Sequence, residues 1–302
     1  MILKEITREA YKALENDVKK LPLVQSALYS GIGSDYFWDD HFYVVHMNEK
    51  PIGLVIIKHY KALAGLVHGV TLDCGPVWMD GHGSADDINA FASLFNAHYP
   101  RRIGRKRRWI PISSLTPPSS WIRRDEGHQT LWLNLTPPLD ALHQNLKKNW
   151  RNALTKAEKS ALTVSWDSDL DALPFMLKTY DLDKKRRGYG GLSVSSLETL
   201  IRRCYKTQNC VIGRALYDGD CVAYVIILTH GQSATYMAGW SHQKGRAHNA
   251  HHLLLWNALD VLKQKGINYF DLGGINEENS KGVAQFKMGM GGDIVRGSGL
   301  YT

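Results

Sequence analysis

Residues Ile267 to Gly292 read INYFDLGGINEENSKGVAQFKMGMGG, and the organisation of the chain is worked out from them. Tyr269 to Leu272 is a short apolar run that alternates a carboxylate with Leu. It breaks at Gly273-Gly274, the pattern of a strand ending in a turn that glycine tolerates best. Asn276 to Gly282 is polar and is expected to form an exposed loop. Phe286-Lys287 follows inside a glycine-rich close, Gly289, Gly291 and Gly292, where small residues admit another backbone or a ligand. A lysine beside an aromatic ring just past a strand end suits a developing oxyanion. A solvated loop lysine is the other reading of the same residues.

Working outward, Leu255, Ala258, Leu259 and Leu262 fall at helical spacing, with Lys263 and Lys265 in the last turn and Gly266 as the stop. The run from about Ala247 is therefore predicted to be an amphipathic helix. Upstream, Cys221 to His230 and Ala234 to Trp240 are apolar runs of strand length. The succession Ala-Thr-Tyr-Met-Ala-Gly-Trp, a polar turn, a helix carrying Leu-Leu-Leu-Trp, then YFDLGGI and FKMGMGG resembles the C-terminal half of the FemABX aminoacyl-tRNA-dependent transferases. Those enzymes are built from acetyltransferase-like (GNAT) domains. A second point of resemblance is the basic helix Leu139 to Ser160, with its run R..L.KAEK, followed by a short strand, Leu162 to Trp166. The two halves also share a pattern: EKPIGLVIIKHY and DGDCVAYVIILTH each set a turn before a long apolar strand. The expected fold is α/β, with α+β mixed sheets in tandem GNAT-like acyltransferase domains and no coiled-coil arm. The double proline Pro137-Pro138 sets the expected boundary, giving domains 1–137 and 138–302, the second holding the acyl-transfer site.

The resemblance implies that an amino acid esterified to tRNA is attacked by an acceptor amine, giving an amide and free tRNA. The ester supplies the driving force, so no cofactor is expected and aminoacyl-tRNA is the co-substrate. The implied acceptor is the amine of a peptidoglycan precursor or of another small molecule. Lys287 matches the lysine of the family's FK motif, to which oxyanion stabilisation is assigned, and Phe286 precedes it there too. Tyr236 matches a tyrosine lining the family's substrate cleft. Cys74, before Gly75-Pro76, stands where the family usually has arginine. Asp271 either contacts substrate or anchors the Gly273-Gly274 turn, and the general base is unassigned. In KKRRGYGG, Arg187 and Tyr189 either grip an anionic substrate or cap a helix end.

The chain has 302 residues and, with 37 basic against 29 acidic side chains, a formal charge of +8, which favours acidic partners. Arg101 to Arg108, RRIGRKRR, concentrates that charge. Arg105, Lys106, Arg107 and Arg108 are the candidate RNA contacts, with a solvated basic loop as the alternative. The four cysteines have no CxxC spacing and suggest no disulfide framework. The charged N-terminus lacks a signal-peptide core, and no run of about 18 apolar residues occurs, so a cytoplasmic protein with no integral membrane segment is expected. A competing chemistry is acyl transfer from acetyl-CoA: His242 to Ala247, HQKGRA, partly matches the Q/RxxGxG/A loop on which GNAT enzymes bind the CoA pyrophosphate. His248, His251 and His252 lie close together but lack an HExxH partner, so no metal is expected. No GxSxG elbow or phosphate-binding P-loop occurs.

Overall fold

The computed structural model describes residues 1–33, 38–112, 117–118, 120–167, 169–188, 190–278 and 280–302. In chain order its strands and α-helices are β1 (Ile2–Ile6), α1 (Arg8–Leu14), β2 (Trp38–Met47), β3 (Lys50–Ala62), β4 (Val67–Asp73), β5 (Val77–Trp78), α2 (Ala85–His98), β6 (Arg105–Ile110), β7 (Arg123–Asp125), β8 (Gln129–Asn134), α3 (Leu139–Asn145), α4 (Lys148–Glu158), β9 (Leu162–Trp166), α5 (Leu173–Arg187), α6 (Val194–Lys206), β10 (Cys210–Tyr217), β11 (Asp220–His230), β12 (Ser233–Ser241), α7 (Gln243–Ala247), α8 (Ala250–Gln264), β13 (Tyr269–Gly274), α9 (Lys281–Met288), β14 (Asp293–Arg296) and β15 (Leu300–Tyr301). They form two compact units: Met1–Thr130 with residues 230–232 and Ile294–Thr302, and Leu131–Thr229 with Ser233–Asp293. The last strand thus returns to the first sheet, a return no sequence signal announces. Among the described residues, no helix is long and apolar enough to cross a membrane.

The first unit is built on a mixed sheet of order β1-β2-β3-β4-β6-β15-β7, with β5 also on β3. Its long strands β2 and β3 pair antiparallel, and strict alternation sends their side chains to two buried faces. Tyr43, Val45, Val55 and Ile57 join Phe91 and Phe95 of α2, whereas Phe42, Val44, Leu54 and Ile56 join Tyr11 of α1. The helix α2 starts in a full capping box between Ser84 and Asp87, as the spacing of those residues predicts.

The basic run RKRRWI is a strand, β6, paired parallel to β4, and not a loop. Alternation divides its charges. Arg107 is buried, donating to Asn96 Oδ1 at 2.7 Å and to the Tyr99 carbonyl at 3.0 Å, with its guanidinium 4.5 Å above the Trp121 ring. Half-buried Arg105 donates to His68 Nδ1 and to the Pro100 carbonyl. Lys106 and Arg108 face outward, and Arg108 pairs with Asp73 at 2.9 Å. The expectation of four RNA-contacting side chains in one exposed run is corrected for Arg107, which has its donors committed inside the unit.

The second sheet has the order β14-β8-β13-β12-β11-β10-β9. Its core gathers Val225 and Ile227 of β11, Trp150 and Leu154 of α4, and Leu254 and Ala258 of α8. The opposite face carries Tyr224, whose hydroxyl donates to the Met176 carbonyl of α5 at 2.8 Å. The single helix expected over Leu139 to Ser160 is broken: Leu146 and Lys147 are extended, at ψ 138° and 146°. The break follows from tertiary packing that overrides helix propensity. Lys147 N–H donates to the Gly289 carbonyl at 2.9 Å, and a Cβ on Gly291 would stand 2.5 Å from the Asn145 carbonyl oxygen. The glycine-rich close therefore locks against the α3–α4 junction.

Removing a buried guanidinium that holds two acceptors typically costs a few kcal/mol, while a surface substitution costs little. Arg107→Leu is expected to lower the unfolding free energy by about 2 kcal/mol or more, and Lys106→Ala by under about 0.5 kcal/mol. Chemical denaturation measures both, and similar small losses would mean that Arg107 is not a structural cation.

Candidate active site

The parallel ladder between β12 and β13 pairs Ser233 with Tyr269, Ala234 with Phe270 and Thr235 with Asp271. Beyond it, Tyr236 on one strand and Leu272 to Gly274 on the other continue past the end of this ladder. The C-terminal ends of parallel strands are a common place for a ligand in α/β sheets. Gly273 turns the chain here at φ 76°, and the Asp271 carboxylate accepts its N–H at 2.8 Å. Asp271 thus anchors the turn.

Lys287 reaches this opening from α9. The FK pair lies on a helix over Lys281–Met288, where the residues suggested a loop. Lys287 Nζ donates to the Gly274 carbonyl at 2.8 Å, stands 5.9 Å from the centre of the Tyr236 ring, and lies 3.7 Å from where a Cβ on Gly273 would be. Burial draws its ammonium down from 10.5 to about 8, opposed by the Asp271 carboxylate. At neutral pH it is still a cation.

Phe286, one residue earlier, faces the core. Its ring meets His252 edge-on at 4.8 Å, His251 at 5.9 Å and Trp150 at 6.1 Å. It sets the rotation of α9 by packing and thereby aims Lys287. Gly289 then ends the helix where a Cβ would collide with Trp150 at 2.5 Å.

His251 is the site residue that sequence reading missed. It was visible only as one of three clustered histidines. In the fold they part company: His248 stacks on Tyr217, His252 packs between Trp150 and Phe286, and His251 Nε2 is joined to Tyr236 Oη by a 2.9 Å hydrogen bond. Burial, and after it the charge of His252, pulls the His251 imidazole down to about 4, so it is neutral at pH 7. Gly239 makes room for the pair, because a Cβ there would lie 2.1 Å from the Tyr236 hydroxyl and 2.8 Å from His251 Nε2.

Tyr236, Asp271, Phe286 and Lys287 are thus brought together. Arg187 is the last residue of α5, where it and Arg186 both pair with Asp183, at 2.9 and 2.7 Å. Tyr189 lies outside the described residues. The HQKGRA segment forms α7, and the amide of its second residue is engaged: Lys244 N–H donates to His242 Nδ1 at 3.4 Å, and Arg246 reaches back to the Ser241 carbonyl. Gly245 is pressed against Val222, whose carbonyl oxygen would be 2.3 Å from a Cβ.

Residues 144–288 match the family model described as an acetyltransferase (GNAT) domain. The whole chain superposes on the crystal structure of FemX with a TM-score of 0.80 at 12% identity, over 100% of this chain and 96% of that one. A conserved protein of unknown function from Bacteroides thetaiotaomicron VPI-5482 gives 0.61 at 12% identity, over 100% and 98%. A tandem GNAT protein from the clavulanic acid biosynthesis pathway gives 0.50 at 12% identity, over 99% and 97%. No curated protein matches the chain in sequence. At such identities these likenesses are of fold: a mixed α/β chain of two GNAT-like units. Together with the family-model match they support an acyltransferase.

A lysine whose folded value lies below its unfolded one costs stability when charged, and the cost fades as pH rises from the folded value toward the unfolded one. Here that window runs from about 8 to 10.5. Lys287→Met is expected to raise the melting temperature at neutral pH and to lose that advantage progressively as pH rises from 8 toward 10. A difference that stays constant with pH would show that Lys287 titrates as a solvated amine.

Proposed function

We propose that the chain transfers an amino acid from aminoacyl-tRNA to an amine of a small or cell-wall-precursor acceptor, forming an amide. The observation that carries this reading is the Lys287 ammonium, held by the Gly274 carbonyl where the β12–β13 ladder stops. In the reaction the acceptor nitrogen attacks the ester carbonyl carbon, a C–N bond forms and the C–O bond to the tRNA ribose breaks. The amine loses a proton and the ribose hydroxyl gains one. No covalent enzyme intermediate is required.

The chain has two tasks: to align amine and ester, and to stabilise the negative charge that builds on the carbonyl oxygen. Lys287 answers the second. Its three N–H groups need more than one acceptor, and the Gly274 carbonyl takes one of them, leaving donor capacity for an oxyanion. A site that removes this cation from water makes its charge more effective than in solution. Tyr236, fixed by His251, supplies a rigid wall beneath the ammonium.

Acetyl-CoA is the competing donor. One of the amides that the α7 turn would offer a pyrophosphate, that of Lys244, is engaged by His242, and Arg246 is folded onto Ser241. That favours the tRNA ester. The basic surface side chains, Lys106 among them, suit a polyanionic donor.

The deciding assay follows labelled amino acid from a mixed aminoacyl-tRNA pool into polar metabolites, beside an acetyl-CoA control. Transfer that depends on the protein and is abolished by ribonuclease is the expected result. Thiol release from acetyl-CoA without tRNA discharge would overturn the reading. In the same assay Lys287→Met is expected to slow transfer about a hundredfold without weakening tRNA binding. The parent rate should fall as pH rises through about 8, where Lys287 loses its proton. A Lys287→Met rate equal to the parent's would remove this lysine from the mechanism.

A further inference from the structure

At one end of the first sheet the turn joining β3 to β4 and the turn entering β6 lie side by side. His68 donates its backbone N–H to the Gly104 carbonyl at 2.9 Å, and β4 and β6 run parallel with His68 opposite Arg105. Gly104, at φ 80°, comes so close that a Cβ would stand 2.1 Å from the Leu66 carbonyl oxygen. These two turns carry three aliphatic side chains in water: Leu63, Leu66 and Ile103 are 71%, 76% and 101% exposed. Single exposed apolar residues are ordinary on a protein surface, but three on adjoining turns make a patch.

The backbone is shaped to present them. Leu63 and Ala64 both take left-handed conformations, at φ 50° and 52°, which side chains rarely adopt and which serve no buried contact of Leu63. Arg105 N–H bonds to the Arg102 carbonyl at 3.1 Å, closing a tight turn with Ile103 at its corner.

The charge on these turns has one sign, while across the sheet β2 brings Asp39 opposite His59 and Asp40 opposite Lys58. Lys61, Arg101, Arg102 and Lys106 are exposed. No Asp or Glu occurs between Pro51 and Leu72, or between Ile88 and Arg124. After burial itself, the charges of Arg105, Lys61 and Arg102 are what hold the His68 imidazole below its ordinary value, which places those cations around the same strand end.

We propose that this end of the first unit docks on an anionic membrane surface. The three aliphatic tips enter the boundary between headgroups and acyl chains, and the basic collar meets the lipid phosphates. RNA would use the collar but not the tips, because single-stranded bases are held by stacking on aromatic rings and the three tips are aliphatic. The contact is peripheral, as no described helix can cross a bilayer.

Flotation of the full chain with phosphatidylcholine vesicles, with and without phosphatidylglycerol, tests the proposal. The parent is expected to float with the anionic vesicles only, and less as salt is added. Leu63→Ser with Leu66→Ser and Ile103→Ser should weaken flotation more than tenfold, by removing the inserted surface. Lys61→Gln with Arg102→Gln should do so by a similar factor, each charge being worth about fivefold. All five side chains are on the surface, so unchanged melting temperatures are expected and would separate lost docking from lost fold. Failure of the parent to float with anionic vesicles overturns the proposal, as does flotation that the triple variant leaves intact. So does loss of tRNA binding in the triple variant where no vesicle binding is seen, which would assign the patch to RNA.

Discussion

The structure of the second unit depends on where one parallel ladder stops. β12 and β13 pair for three residues and then separate at Tyr236 and Leu272. Past that point the backbone groups that faced the other strand need other partners, because buried peptide groups are seldom left without them. Asp271 takes the Gly273 N–H, and Lys287 takes the Gly274 carbonyl. A cation is thereby tied to the end of the β12–β13 ladder. The same contact brings α9 onto the core through Phe286 and Ala284, and the glycines after it onto α3 and α4. The break between those two helices is the cost in helix propensity of seating Gly289 and Gly291.

Lys287 is accordingly a compromise between folding and chemistry. Its charge is penalised by burial and is only partly offset by Asp271, the usual condition of a residue kept for its charge rather than for stability. The neutral His251 serves a different end. It holds the Tyr236 hydroxyl without adding a second cation beside the first, which would depress the lysine further.

Much of this was legible in the sequence, for identifiable reasons. The alternation and glycine pair of YFDLGG mark β13 and its turn, and the spacing of Leu255, Ala258, Leu259 and Leu262 marks α8, because both are local patterns set by one periodicity. Four features were not legible. The FK pair looked like loop because glycines surround it, yet those glycines serve close packing against Trp150 and Asn145, which only the fold supplies. The run RKRR read as RNA contacts or a solvated loop because it is charged, whereas alternation in a strand hides every second side chain and lets Arg107 satisfy buried acceptors. The role of His251 depends on Tyr236, fifteen positions away on a different element, and nothing around His251 in the chain announces that pairing. The return of Tyr301 to pair with Trp109 is likewise a long-range contact made by too few residues to leave a pattern.

The most direct test of this account is the titration of Lys287 itself. Selective isotope labelling of the lysine side chains, with Lys287→Met used to assign its signal, allows the ionisation of this one amine to be followed by NMR. The account requires a midpoint near 8, as burial in the β12–β13 opening dictates. A midpoint at the solvated value of 10.5 would mean that the ammonium is fully hydrated, and the site as described would lack the desolvated cation on which its proposed chemistry rests.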